Sequence, residues 1–223
     1  MAQTVGGQVG PTLAGDNTYP PIRLGRSGEV IVSELHGRFY EQTMRGSVYT
    51  NGTTTIQALT ANTIGLTATG TPILGVWNPS SSTVNLVILQ AALASGGNNT
   101  ATVGSGAFVW ATSTGNGGIT TGTAPFNTKT LTANGSQAKG LSFIAMTGLT
   151  NNLVVQVAAD FPLVTLITTT AVPTTVVTPT TMAVANIDGS IIVPPGGVLA
   201  LLNVTSTTTV TVTGRLLWEE VPI

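Results

Sequence analysis

The chain has no cysteine, one histidine and 15 charged residues among 223, and no uninterrupted apolar run of transmembrane length. Each scarcity excludes something. Without cysteine there are no disulfides, thiolate nucleophiles or zinc-finger ligand sets. With one histidine there can be no two- or three-histidine metal centre. Thr, Asn, Ser and Gly interrupt every apolar stretch before about 18 residues accumulate, so no spanning helix is expected. A net charge of −1 gives no electrostatic footprint for a phosphate backbone, so nucleic acid is not an expected partner. The N-terminus, MAQTVGGQVGPTLAGDN, has neither the basic start nor the apolar stretch of a secretory leader, so no leader is expected. Four sequons, at Asn51, Asn98, Asn134 and Asn203, are what a chain rich in Asn and Thr produces by chance, and they are expected to be unmodified.

A folded monomer of this mass exposes about 9,500 Å², which leaves roughly one charge per 600 Å². Such a surface is clothed in hydroxyls and amides or hidden in contacts, which favours an oligomer or a subunit of an assembly. The charge that exists is gathered. Arg23 to Arg45 holds four of the seven basic residues, three of the eight acidic ones and His36, whereas Gly46 to Gly214 holds only Lys129, Lys139, Asp160 and Asp188.

Residues 1–22 are rich in Gly and Pro and lack periodicity, so they read as an extended arm; residues 23–223 read as a single domain. From Glu29 the pattern alternates. Ile31, Ser33, Leu35, Gly37 and Phe39 fall on one face of a strand, and Glu34, His36, Arg38 and Tyr40 form a polar row on the other. Further strands are expected at 53–59, 73–77, 84–93, 107–112, 140–146, 153–159, 163–169, 187–193, 198–204 and from 209 to Trp218. Asn51-Gly52, Asn78-Pro79-Ser80, Gly96-Gly97-Asn98, Asn116-Gly117-Gly118, Asn134-Gly135 and Pro194-Pro195-Gly196-Gly197 read as turns. No helical period is sustained, so parallel βαβ folds are excluded and an all-β antiparallel jelly-roll sandwich of about ten strands remains. In that topology the first and last strands lie side by side, which would bring Arg215, Glu219 and Glu220 to the charged opening segment.

Catalytic chemistry finds little support. His36 is the only imidazole base, no Gly-x-Ser-x-Gly elbow occurs, and Glu219 and Glu220 are adjacent on a strand and so point to opposite faces. Glu34 and His36, with Glu41 or Glu219, could share an ion, but a hydrogen-bonded histidine between Glu34 and Arg38 accounts for the same residues. The Gly-rich stretches 104–106 and 116–118 carry no phosphate-loop lysine. Trp77, Trp110 and Trp218 with Tyr19, Tyr40 and Tyr49 would form a sugar-stacking platform if exposed together. Trp218, in phase with Val210, Val212 and Leu216, belongs instead to a core. The expectation is a non-enzyme without cofactor or metal, whose partner contacts use Arg23, Arg26, Glu34, His36, Arg38, Tyr40, Glu41, Arg45, Arg215 and Glu219.

The run from Gly28 to Gln42, Asn78-Pro79-Ser80 followed by Asn85-Leu86-Val87, and the ending Trp218-Glu219-Glu220-Val221-Pro222 resemble small virion proteins of tailed bacteriophages. Those understood are similar to jelly-roll head decoration, or cement, proteins, which are frequently trimeric and sit on the major capsid shell. The resemblance implies a structural role at the virion surface, with copies of the chain and the major capsid protein as partners, and it carries over no catalytic residue. The alternative is a receptor- or glycan-binding jelly-roll head of a fibre or tail, similar in composition to C1q-like trimers.

Overall fold

The computed structural model describes residues 38–53, 57–58, 70–96, 108–114, 122–146, 151, 153–158, 182–203 and 211–223. The chain divides into two compact units, Met1–Tyr40 and Glu41–Ile223. Every described strand belongs to the second unit.

The first described element corrects the sequence expectation. Arg38 and Phe39 form a turn, and Tyr40–Arg45 is a short helix, α1, so the strand read through Tyr40 does not reach it. YEQTMR carries helix formers, an acid in the first turn and Arg45 in the last, matching the helix dipole. Gly46 ends the helix at φ +79°, with its N–H on the Thr43 carbonyl at 3.0 Å and that of Ser47 on the Gln42 carbonyl at 3.2 Å. This is the paired-bond C-cap that glycine's left-handed freedom permits.

The strands after it form two antiparallel sheets. The larger contains β1 (Val48–Gly52), β2 (Gln57–Ala58), β4 (Val84–Gly96), β6 (Phe126–Asn127), β9 (Met182–Asn186), β10 (Ile192–Val193) and β12 (Thr211–Pro222). Its path runs β10-β4-β12-β1-β6, with β9 beside β4 and β2 beside β12. The smaller runs β7 (Lys139–Gly140), β3 (Leu74–Trp77), β11 (Val198–Asn203), β5 (Phe108–Ser113) and β8 (Val154–Ala158). Reading β9 and β10 as one interrupted edge, the four-strand orders 1-12-4-9/10 and 3-11-5-8 are the two interlocked Greek keys of a jelly roll. First and last strands are neighbours, in register from Val48 opposite Glu219 to Gly52 opposite Arg215.

One core fills the space between the sheets. Leu86, Ile88, Ala91 and Leu93 of β4 and Val212, Leu216 and Trp218 of β12 meet Leu74, Val76, Trp110, Leu199 and Leu201 of the small sheet. A second cluster lies on the far side of the small sheet, where Val198, Ala200 and Leu202 pack with Ala111, Leu141, Met146 and Leu153. β11 is therefore buried on both faces, which its continuous run VLALLN anticipates better than an alternating pattern would. The stretch 140–146, expected as one strand, lies beside 70–77 through bonds from Leu141, Phe143 and Met146 N–H groups to the Gly75, Pro72 and Gly70 carbonyls. Phe143, at φ +51°, breaks its regularity.

Three further expectations change. Asn51-Gly52 is the end of β1, not a turn. The buried Asn51 donates from Nδ2 to Ser142 Oγ at 2.7 Å and accepts on Oδ1 from Thr123 Oγ1 at 3.2 Å, so contacts across the sandwich override the local turn preference. A Cβ on Gly140 would collide with Asn51 Cγ, so this close approach needs glycine. The strand read at 187–193 is interrupted by Asp188 and Gly189, both at positive φ, which turn the chain between β9 and β10. That turn sits where β4 bulges. Leu217 faces Gln90 and Trp218 faces Ile88, leaving Leu89 over, and the Leu89 carbonyl accepts the Ile187 and Asp188 N–H groups. The strands read at 53–59 and 153–159 appear as Gln57–Ala58 and Val154–Ala158, while 163–169 and the arm 1–22 lie outside the described residues.

Candidate partner-binding surface

Of the residues singled out from sequence, Arg23, Arg26, Glu34 and His36 lie outside the described residues. Arg38 is exposed in the turn before α1, its guanidinium 5.8 Å from the Phe39 ring centroid, and Tyr40 opens α1 partly exposed. Glu41 and Arg45 are exposed on α1. The helix end is tied to the sandwich from two sides. Ser47 Oγ bonds to the Gln42 carbonyl at 3.0 Å and to Glu219 Oε1 at 3.3 Å, and Lys129 Nζ donates to the Met44 carbonyl at 2.6 Å, a cation at the helix C-terminus.

Residues 23–37 of the charged opening segment lie outside the described residues, and along β12 itself the three closing charges are dispersed. Alternation puts Arg215 and Glu219 on the outer face of β12, four residues or roughly 13 Å apart, and Glu220 on the inner side. Glu219 meets Ser47 and the end of α1. Arg215 donates from its guanidinium to Gln90 Oε1 at 2.7 Å, and Gln90 Nε2 donates to Asn186 Oδ1 at 2.9 Å, a polar row across β12, β4 and β9. Glu220 is buried and accepts from Ser136 Oγ at 2.5 Å and from the Gln137 N–H at 3.2 Å, holding the loop that follows β6. Two acids adjacent in sequence thus serve opposite faces, as strand geometry requires.

Three asparagines organise this architecture; the sequence marked Asn51 and Asn78 as turn residues and left Asn127 unread. Asn78 Nδ2 donates to the Val84 and Val193 carbonyls at 2.8 and 3.1 Å, tying three segments together at one end of the sandwich. Asn127 accepts the Lys129 and Thr130 N–H groups on Oδ1 and donates to the Gly46 carbonyl at 2.7 Å, joining its own turn to the C-cap of α1. Asn51 completes the set. All three are buried, yet nothing in composition distinguishes a buried Asn from the many exposed ones.

The outer face of the large sheet is unusual in its chemistry. Val48, Leu89 and Leu217 point to it and are buried, although they belong to neither core cluster. Toward the edges the same face exposes Phe126 on β6 (53%), Val184 on β9 (45%) and Ile192 on β10 (56%). Along β4 and its β9/β10 edge, Val87, Ala92, Ala94, Val184 and Ile192 make an apolar strip, interrupted by the Gln90–Asn186 pair and the Asp188 turn.

Tyr19 lies outside the described residues, and the described aromatic residues do not form a sugar platform. Trp218 and Trp110 are buried in the central core (0% and 2% exposed), Tyr49 is buried with them, and Trp77 packs half-buried on the second cluster. Among the described residues no three His, Asp or Glu side chains are grouped to hold a metal, and no helix is long and apolar enough to cross a membrane. No family model, curated protein or solved structure matches the chain.

Proposed function

We propose that this protein is a structural virion protein: a jelly-roll decoration subunit that associates with copies of itself, as a trimer, and with the major capsid protein, bridging shell subunits. The observation that carries the reading is the weakly charged outer face of the large sheet, with Val184, Ile192 and Phe126 exposed around a polar row of amides and one guanidinium. An edge strand bearing apolar side chains and little charge invites association with another chain, and proteins that stay monomeric usually protect such edges with charge. Hydroxyl and amide groups carry the specific contacts with little desolvation of full charges.

The mechanism is additive. A subunit that binds only the assembled shell stabilises it by mass action, and bridging neighbours adds effective concentration without new contact types. The phage setting rests on the sequence resemblance, and the assembly role on the surface.

Imaging of particles tests the reading directly: density for this chain on the capsid surface supports it, and its absence from particles or its placement at a tail tip overturns it. Removing residues 1–22 should lower occupancy on particles, and unchanged occupancy removes the arm from the mechanism. Replacing Arg38 and Arg45 together should impair assembly while the isolated subunit stays folded.

A further inference from the structure

The chain contains three Asn-Gly dipeptides, at 51–52, 116–117 and 134–135. The first and last are described, and their settings are opposite. Asn51 is buried in β1, its side-chain amide bonded on both sides, while Gly52 lies opposite Arg215 in the β1–β12 ladder, its extended backbone fixed by the next bond, from the Thr53 N–H to the Gly214 carbonyl at 2.9 Å. Asn134 and Gly135 lie exposed in the loop after β6, with Gly135 at φ +82° and its N–H without a hydrogen-bond partner among the described residues. Thr132 Oγ1 donates to Asn134 Oδ1 at 2.7 Å.

From this geometry we infer that Asn134 is a site of spontaneous backbone modification. The Gly135 nitrogen attacks Asn134 Cγ. An N–Cγ bond forms, the Cγ–Nδ2 bond breaks, and ammonia departs with the proton that Gly135 N–H loses through solvent. Water then opens the cyclic imide at either carbonyl, leaving an aspartyl or an isoaspartyl residue; the balance is amide plus water giving acid plus ammonia. Three features favour the reaction here. Gly135 has no side chain to obstruct the attacking nitrogen, that nitrogen is not held in a ladder, and the Thr132 hydroxyl stabilises the negative charge that develops on Oδ1 during attack.

The modification reaches a buried group. Ser136 and Gln137, one and two residues beyond Gly135, hold the Glu220 carboxylate, and the Gln137 side chain bonds Thr83 through both its oxygen and its nitrogen. An isoaspartyl residue lengthens the backbone by one methylene and adds a carboxylate near that contact. The loop then releases Glu220, so the site works as a slow clock that loosens one end of the sandwich.

The test follows both asparagines by peptide mapping of the full chain, folded and in urea, during incubation at mildly alkaline pH. In the folded protein Asn51 should convert about a hundredfold more slowly than Asn134, equivalent to about 2.8 kcal/mol at 1.4 kcal/mol per tenfold, and the two rates should converge in urea. Equal rates in the folded protein, or an inert Asn134 in a chain whose unfolded form reacts, overturn the inference. Thr132→Val should slow conversion at Asn134 several-fold with the fold intact, and an unchanged rate removes the hydroxyl from the mechanism. Hydrogen exchange at the Gln137 amide should quicken about tenfold in the modified protein and stay unchanged in incubated Asn134→Gln. Exchange that does not respond to modification refutes the release of Glu220.

Discussion

The two sheets of this jelly roll use their outer faces differently. The small sheet has none to offer at its centre: β11 is buried on both sides, Leu199 and Leu201 against the large sheet and Val198, Ala200 and Leu202 beneath Leu141, Met146 and Leu153. The large sheet presents exposed Val184, Ile192 and Phe126 beside the Arg215–Gln90–Asn186 row. A strand sealed on both faces serves stability. The small sheet exposes Val154 at its β8 edge, whereas the large sheet exposes three apolar side chains on one face beside a polar row, so the search for contacts begins on the large sheet.

The sharpest way to break that comparison is to truncate β11 on each face. Leu201→Ala and Leu202→Ala should each cost about 2–5 kcal/mol in denaturant unfolding, because both vacate packed interior. A Leu202→Ala cost below about 0.5 kcal/mol, the usual range for a surface site, would mean that the second cluster is not a core. Next in size is the close approach of the sheets at Gly140. Gly140→Ala should destabilise by about 1–3 kcal/mol through overpacking against Asn51, and the double variant Gly140→Ala, Asn51→Ala should cost less than the sum of the two, by at least about 0.5 kcal/mol. Strict additivity would show that the two residues do not meet. Asn78→Ala should cost about 1–3 kcal/mol, since the Val84 and Val193 carbonyls each lose one donor and the tie between their segments is cut. Smallest in stability and largest in consequence are the exposed positions: Val184→Asp and Ile192→Asp should change unfolding free energy by no more than about 0.5 kcal/mol yet abolish self-association in sedimentation and occupancy on particles. Association that survives both places the partner surface elsewhere.

The sequence exposed the skeleton of this fold more readily than its contacts. Val84 to Leu93, Leu74 to Trp77, Val198 to Asn203 and the closing strand through Trp218 were legible because strand formers ran between turn residues, and Trp218 lies in phase with Val212 and Leu216 as expected. α1 was missed because the alternation was read through Tyr40 and six residues are too few to sustain a helical period; only Gly46 behind a run of helix formers marks the ending. Asn51-Gly52 misled because its turn preference is local while its partners, Ser142, Thr123 and Arg215, are distant in the chain. The candidate site was the least legible part. Arg215 and Glu219 were correctly placed on the closing strand, but the apolar strip on β4, β9 and β10 comes from strands that only the sheet brings together.

By itself, then, the sequence determined the class: scarce charge, no cysteine and short β segments punctuated by turns admit an antiparallel sandwich and little else. The tertiary structure decided which face each residue serves. Strand alternation assigns side chains to two sides, but only the pairing of β12 with β1 and β4 and the packing of 141–146 over the small sheet determine which side is sealed and which is open. The physical reason is that burial depends on neighbours remote in the chain, whereas propensity and periodicity report only what is near.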